Sequence, residues 1–161
     1  MTTTHSAVLT LPSDTQILMT REFAAPAHLV YRAMTTPELI KRWWSGGRGE
    51  VTVAEIDLRV GGRWRHVLVT EDGHEVGFHG EYREIDPPKR IVCTEAYEGA
   101  PDGPPAVCTY TFEERDGRTT LSLLTEVTDR QVRDAIIETG MEGGMQEGMD
   151  LLEQVAIDLR G

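Results

Sequence analysis

The stretch VRDAIIETGMEGGMQEGMDLLEQVAIDL, residues 132–159, decides the fold. Its apolar positions fall at Val132, Ile136, Met141, Met145, Met149, Leu152, Val155 and Leu159. Gaps of mostly three and four residues mark one face of a helix. That face is rich in methionine and is interrupted by Gly140, Gly143, Gly144 and Gly148. A glycine inside a helix costs about 0.8–1 kcal/mol against alanine, so four would cost roughly 3–4 kcal/mol. This is a large share of a domain's stability and calls for compensation. Either the helix breaks near Gly140, or its glycines leave room for a backbone or a ligand pressed against it. A flexible methionine face over open space is how a lid on an apolar pocket is built. A core helix with one kink is the plainer reading of the same pattern.

Upstream, alternation and turn signals divide the chain. Residues 1–14 are polar and threonine-rich and read as a flexible arm, with residues 15–160 as one domain. Gln16 to Phe23 reads as a strand ended by Ala25-Pro26. Pro26 suits a first helical turn, and Leu29, Val30, Ala33 and Met34 then recur at helical spacing. Thr36-Pro37-Glu38 opens a second short helix with Thr36 as N-cap, and Ser45-Gly46-Gly47 stops it after Trp44. Strands follow at Val51 to Ile56, Arg63 to Thr70, Glu75 to Ile85, Arg90 to Tyr97, Ala106 to Glu114 and Thr119 to Val127. Asp72-Gly73 and Asp116-Gly117 read as tight hairpin turns. Thr128 and Gln131 have capping-box spacing at the head of the C-terminal helix. Consecutive strands joined by tight turns imply an antiparallel sheet, and helices at the ends rather than between strands imply α+β architecture. One helix of about eighteen residues, roughly 27 Å long, has to cover a face of a strongly curved sheet.

Composition narrows the function classes. The 161 residues can bury a core without staples, and the apolar fraction of 39% fits a globular protein. No run of apolar residues is long enough for a spanning helix. The first fourteen residues carry no Lys or Arg and no apolar core, so export is not expected and a cytoplasmic location is. A net charge of −11 repels phosphate backbones and anionic headgroups, which argues against nucleic acid and membrane partners. Cys93 and Cys108 lack a second pair for a zinc motif and read as reduced, buried strand residues, with a cross-strand disulfide as the lesser alternative.

Several strings now stand in order: Ala25-Pro26, Trp43-Trp44, Asp57 through Trp64 (DLRVGGRW), Gly80 through Pro88 (GEYREIDPP), Phe112-Glu113-Glu114 and Gly140 through Met145 (GMEGGM). Over about residues 15–158 they resemble the START-like SRPBCC superfamily, and within it the activator-of-heat-shock-protein-ATPase-like branch of small bacterial proteins. The resemblance implies a helix-grip fold, in which a curved antiparallel sheet wraps a long C-terminal helix. Two short helices follow the first strand, and an apolar cavity lies between sheet and helix. The branch has no catalytic signature of its own. Its eponymous co-chaperone carries a further N-terminal domain, whereas about fourteen residues precede the first strand here, so a chaperone partner is not expected. Relatives often sit beside small metal- or stress-responsive repressors, which implies a stress role.

Trp64, His66 and Leu68 share one face of their strand, and Phe78, Gly80 and Tyr82 one face of the next. Facing inward, they line a cavity with aromatic surface, and Gly80 leaves space for a ligand or the helix. Trp44, Tyr110, Met141, Met145 and Met149 complete the expected ligand-binding set. Of Trp43-Trp44, one tryptophan belongs in the core and the other at the cavity mouth or a dimer contact; Gly46 to Gly49 suits a mobile flap beside them. A two-residue loop at Asp72-Gly73 would pair His66 with His79, and a loop one residue different would put them on opposite faces. No third ligand accompanies them, so no metal or other cofactor is expected. Asp57 and Arg59 read as a partly exposed ion pair at a bend.

The expected function is binding of an apolar or amphipathic small molecule, lipid-like or polyketide-like, without catalysis. The first alternative is an enzyme of the cyclase, dehydratase or hydrolase kind. It requires an inward Glu95, Glu126 or His66 with a strongly perturbed pKa. The second is a chaperone-associated interaction module, which requires an exposed apolar patch such as one around Trp43-Trp44.

Overall fold

Alternating burial builds the sheet. In β2 (Gln16–Phe23) the buried residues are Ile17, Met19, Arg21 and Phe23, every second position. The other long strands are β3 (Gly49–Ile56), β4 (Arg63–Thr70), β5 (Glu75–Asp86), β6 (Arg90–Tyr97), β7 (Ala106–Arg115) and β8 (Arg118–Glu126), with alternation broken where both faces are covered, as at His66-Val67 and Cys93-Thr94. With β1 (Val8–Thr10) they form one eight-stranded sheet in the order β1-β2-β8-β7-β6-β5-β4-β3, antiparallel throughout. The helices are α1 (Ala27–Thr35), α2 (Pro37–Trp43), α3 (Arg130–Glu138) and α4 (Met141–Asp158). This computed structural model describes residues 7–99 and 103–160. Helices α1 and α2 carry the chain from β2 to the far edge at β3, and α4 packs beside them. Phe23, Val30, Ile40, Leu121 and Leu152 from both layers are fully buried between them. The α+β helix-grip architecture expected from the sequence is the one observed.

Two hairpins show how turn length sets register. Asp116 and Gly117 both have positive φ (54° and 75°), and Arg115 pairs with Arg118, which makes a two-residue type I′ turn. The β4–β5 hairpin differs from expectation. Its loop holds three residues: the Thr70 amide donates to the His74 carbonyl at 2.9 Å, and Gly73 takes φ +88°. The extra residue shifts the register by one. His66 therefore faces Phe78 across the strands, and His79 lies on the opposite face beside Arg65.

The C-terminal segment is two helices. Gly140 adopts φ +78° and ends the first, so the break is real and occurs where the glycine cost made it cheapest. The N-cap of α3 is Asp129, which accepts from the Val132 amide at 2.9 Å, in place of the expected Thr128. Thr36 occupies the N-cap position of α2, but its hydroxyl donates back to the Arg32 carbonyl at 2.7 Å.

The remaining α4 glycines lie against the segment that follows α2. A Cβ on Gly148 would lie 3.6 Å from the Trp43 carbonyl, and one on Gly143 would lie 3.2 Å from the Arg48 guanidinium. A Cβ on Gly46 would meet the Gly144 carbonyl at 3.0 Å. The segment after α2 thus presses onto the glycine side of α4. The expected flap at Gly46 to Gly49 is a hydrogen-bonded turn against that helix, with Gly46 and Arg48 amides donating to Trp43 and Ser45 carbonyls.

The polar N-terminal segment is also more structured than its composition indicates. Val8 to Thr10 pair with Leu18 to Thr20, and Ala7 exchanges two hydrogen bonds with the Gln146 side chain at 2.9 and 2.7 Å. Leu9 of this strand packs against the core, but three residues among threonine-rich neighbours are too short for alternation to be read. Residues 1–6 of the expected arm lie outside the described residues.

Candidate functional site

On the β3–β5 side, the inner face of the sheet is aromatic. The His66 ring sits 4.9 Å from Trp64 and 5.4 Å from Trp44, centroid to centroid. Trp44 is 5.9 Å from Phe78, and Phe78 is 5.2 Å from Tyr97. Four expected binding residues, Trp44, Trp64, His66 and Phe78, thus form one contiguous cluster. The Trp64 indole donates to the Thr94 carbonyl at 3.1 Å. It does so by crossing Gly80, where a Cβ would collide with that carbonyl. Gly80 therefore admits Trp64 and the neighbouring strand, and the space expected there is filled. His66 is buried with Nδ1 2.9 Å from the Arg65 carbonyl. Desolvation lowers its pKa to about 4, so it is a neutral ring at pH 7.

On the β6–β8 side, the same face carries thiols, phenols and one carboxyl. Cys93 on β6 is register partner to Cys108 on β7 and to Tyr82 on β5, while Tyr110 faces Ile91 and Leu123. Both cysteines are buried and free. Burial, then the nearby Glu95, pushes the Cys93 thiol up to about 12, and Cys108 is raised for the same reasons. Such thiols are poor nucleophiles. Tyr82 and Tyr110 are likewise raised, chiefly by burial.

Glu95 is the exceptional residue of this half. It is half-buried, and desolvation holds its carboxyl above the usual range. Among the described residues its one hydrogen-bond partner is the Cys108 thiol, with Sγ 3.8 Å from Oε2. Glu95 and Tyr110 nevertheless keep some accessible surface.

The helix opposite supplies Met149, which is buried, and Met145 and Met141, which are half-buried. The Arg21 guanidinium ties β2 to α4. It donates to the Met149 carbonyl at 2.9 Å and to Asp150 at 2.8 Å, and lies 4.7 Å over the Phe23 ring. No periodicity argument would have assigned that role to an arginine on a buried strand face.

Other candidates fall outside this region. Glu126 is exposed and bonds Gln16 at 3.3 Å. Asp57 and Arg59 form an exposed pair at 2.8 Å beside the Gly61-Gly62 bend. Outside the sheet, Glu98 takes two hydrogen bonds from Arg65 and one from His79, all at 2.9 Å, which lowers its carboxyl to about 2. Among the described residues, no three His, Cys, Asp or Glu side chains are placed to hold a metal. Trp43 is in the core, its indole donating to the Ala33 carbonyl at 3.0 Å, so the tryptophan pair makes no exposed patch. Tyr97, Cys93 and Cys108 join the inner face without having been singled out for it. Tyr97 lies beyond the reach of the two-strand pattern, and the cysteines had been read as ordinary core. Two surface grooves lie elsewhere. One, of about 370 Å³, runs between Gly47–Gly49 and Val69–Glu71. The other, of about 270 Å³, lies over Arg63, His79, Glu81 and Ala96.

Residues 24–156 match the family described as Activator of Hsp90 ATPase homolog 1-like protein. The chain belongs to that family. A crystal structure of a Rhodobacter sphaeroides protein is 25% identical with a TM-score of 0.85, covering 92% of this chain and 95% of that one. A Chromobacterium violaceum protein is 27% identical with a TM-score of 0.75, covering 87% and 96%. A Mycobacterium smegmatis protein, 22% identical with a TM-score of 0.83 over 92% and 96%, shares the fold. A comparison with curated proteins returns no match. Among the described residues, no helix is long and apolar enough to cross a membrane.

Proposed function

We propose that this member of the family binds an amphipathic small molecule, lipid-like or polyketide-like, between the inner sheet face and α4. One observation carries the reading. Glu95 and Tyr110 stand on the inner sheet face and keep accessible surface that a ligand could cover. The side chains of that face and of the helix opposite suit an apolar body: Trp44, Trp64 and Phe78 at one end, Tyr82 and Tyr110 along the sheet, and Met145 and Met149 on α4. On this reading the protein works in the cytoplasm, with a stress-linked ligand and no nucleic-acid or membrane partner. Native mass spectrometry of protein purified from its own host tests it. A reproducible added mass, lost in Met145→Lys, is the expected result. An unladen protein whose tryptophan fluorescence ignores a panel of amphiphiles overturns it.

Glu95 favours a second reading, an enzyme of the cyclase, dehydratase or hydrolase type using the same space. An inward carboxyl with a raised pKa is suited to general acid chemistry. Conversion of the extracted ligand by wild type but not by Glu95→Gln would establish it; recovery of the ligand unchanged would exclude it.

A further inference from the structure

We infer that the polar end of the ligand is an amine, held as an ammonium by the Glu95 carboxyl and the aromatic rings beside it. The inference rests on the binding reading above and names its ligand class.

The row of residues across the inner face leaves this carboxyl uncovered. On β7 the register partner of Glu95 is Ala106. On β5 the constant register between His79↔Ala96 and Tyr82↔Cys93 sets Gly80 opposite it, and Trp64 on β4 pairs with Gly80. Neither flanking residue has a side chain beyond Cβ, so neither supplies the carboxyl with a polar partner. Trp64 stands to one side, its indole fixed by the 3.1 Å bond to the Thr94 carbonyl. Tyr97 follows two residues along the same strand face, its ring 5.2 Å from Phe78.

Every buried cationic side chain among the described residues is otherwise engaged. Arg21 is bound to α4 through the Met149 carbonyl and Asp150. Arg133 is bound to the Ser13 carbonyl and Asp134. His66 is enclosed by Trp44 and Trp64 with its Nδ1 on a backbone carbonyl. Among the described residues Glu95 has only the Cys108 thiol. A partly buried, desolvated carboxyl with so few partners favours a counter-charge and further hydrogen-bond donors.

An ammonium supplies both. It donates to both carboxylate oxygens, and its charge is attracted to ring faces such as those of Trp64, Phe78 and Tyr97. The net charge of −11 draws cations toward the protein. A ligand carboxylate would place a second negative charge against Glu95. An alcohol would bring one hydrogen bond and no charge.

Octylamine, octanol and octanoate share an apolar tail and differ in the polar end. Titrated into the full chain at pH 7, with tryptophan fluorescence and calorimetry as readouts, they separate the possibilities. Octylamine is expected to bind at least about tenfold tighter than octanol, with octanoate weakest. Glu95→Gln is expected to bring octylamine down to octanol's affinity and to leave octanol unchanged. Equal binding of amine and alcohol, tighter binding of octanoate, or an amine preference that survives Glu95→Gln overturns the assignment and leaves the binding reading intact. No binding of any of the three overturns both. If Glu95→Gln fails to fold, the wild-type ranking still decides. Ala106→Leu, which crowds the carboxyl, is then expected to weaken octylamine about tenfold, and unaltered binding counts against the assignment.

Discussion

On β4 and β5 the inner face meets the helix layer with rings, and His66 there is neutral and satisfied by a backbone carbonyl. On β6 to β8 the same face presents thiols, phenols and Glu95, whose one hydrogen bond among the described residues is a long one to sulfur. Burial disfavours the charged forms of both groups. It leaves them in different conditions. His66 has its hydrogen-bonding need met by its own strand and serves as packing. Glu95 has unused hydrogen-bonding capacity on a half-buried face. The aromatic half is thus built as a wall, and the β6–β8 half as the place where a ligand would be read.

The largest effect that could break this contrast is in the wall. Trp64 is 7% exposed and contacts His66 and β6. Trp64→Ala is expected to cost about 3–5 kcal/mol by urea denaturation. Met145→Ala, on the half-buried side of α4, is expected to cost only about 1 kcal/mol. Equal costs would mean that α4 packs as tightly over this region as the wall does.

The pH dependence sharpens the comparison because the two halves have opposite signs. His66 binds its proton at about pH 4 in the folded state and near 6.5 when unfolded. Between those values the unfolded chain holds the extra proton. Stability from this group is therefore complete above pH 6.5 and falls by about 3 kcal/mol as pH drops to 4. His66→Phe is expected to flatten that fall in denaturation midpoints measured across the range. For Glu95 the folded state holds its proton to higher pH than the unfolded chain. Stability from Glu95 is complete below pH 4.5 and declines as pH rises toward its raised folded value. Glu95→Gln is expected to leave stability unchanged at pH 4 and to raise it at pH 8. A loss at pH 8 would mean that the carboxylate has a partner.

The smallest effect serves as the reference for both halves. Asp57 and Arg59 are mostly solvent-exposed, and Asp57→Ala is expected to change stability by less than about 0.5 kcal/mol. A larger loss would show that the Gly61-Gly62 bend depends on the pair.

Much of this architecture was legible in the chain. Helical spacing, strand alternation and turn residues gave the element order, and the Gly140 break followed from the cost of glycine in a helix. Alternation grouped Trp64 with His66 and Phe78 with Tyr82 within their own strands, and the β4–β5 register then put both pairs on one face. Three features were settled only by the folded chain. The β4–β5 register turned on one residue in a loop, which local sequence does not specify strongly, and that residue separated His66 from His79. The use of the α4 glycines depended on a backbone segment about a hundred residues earlier in the chain, at Trp43 to Gly46. The isolation of Glu95 depended on small residues on two neighbouring strands. Periodicity is a property of one strand or helix and can be read from it. What a buried group lacks depends on all the elements that surround it, and only tertiary structure brings those together.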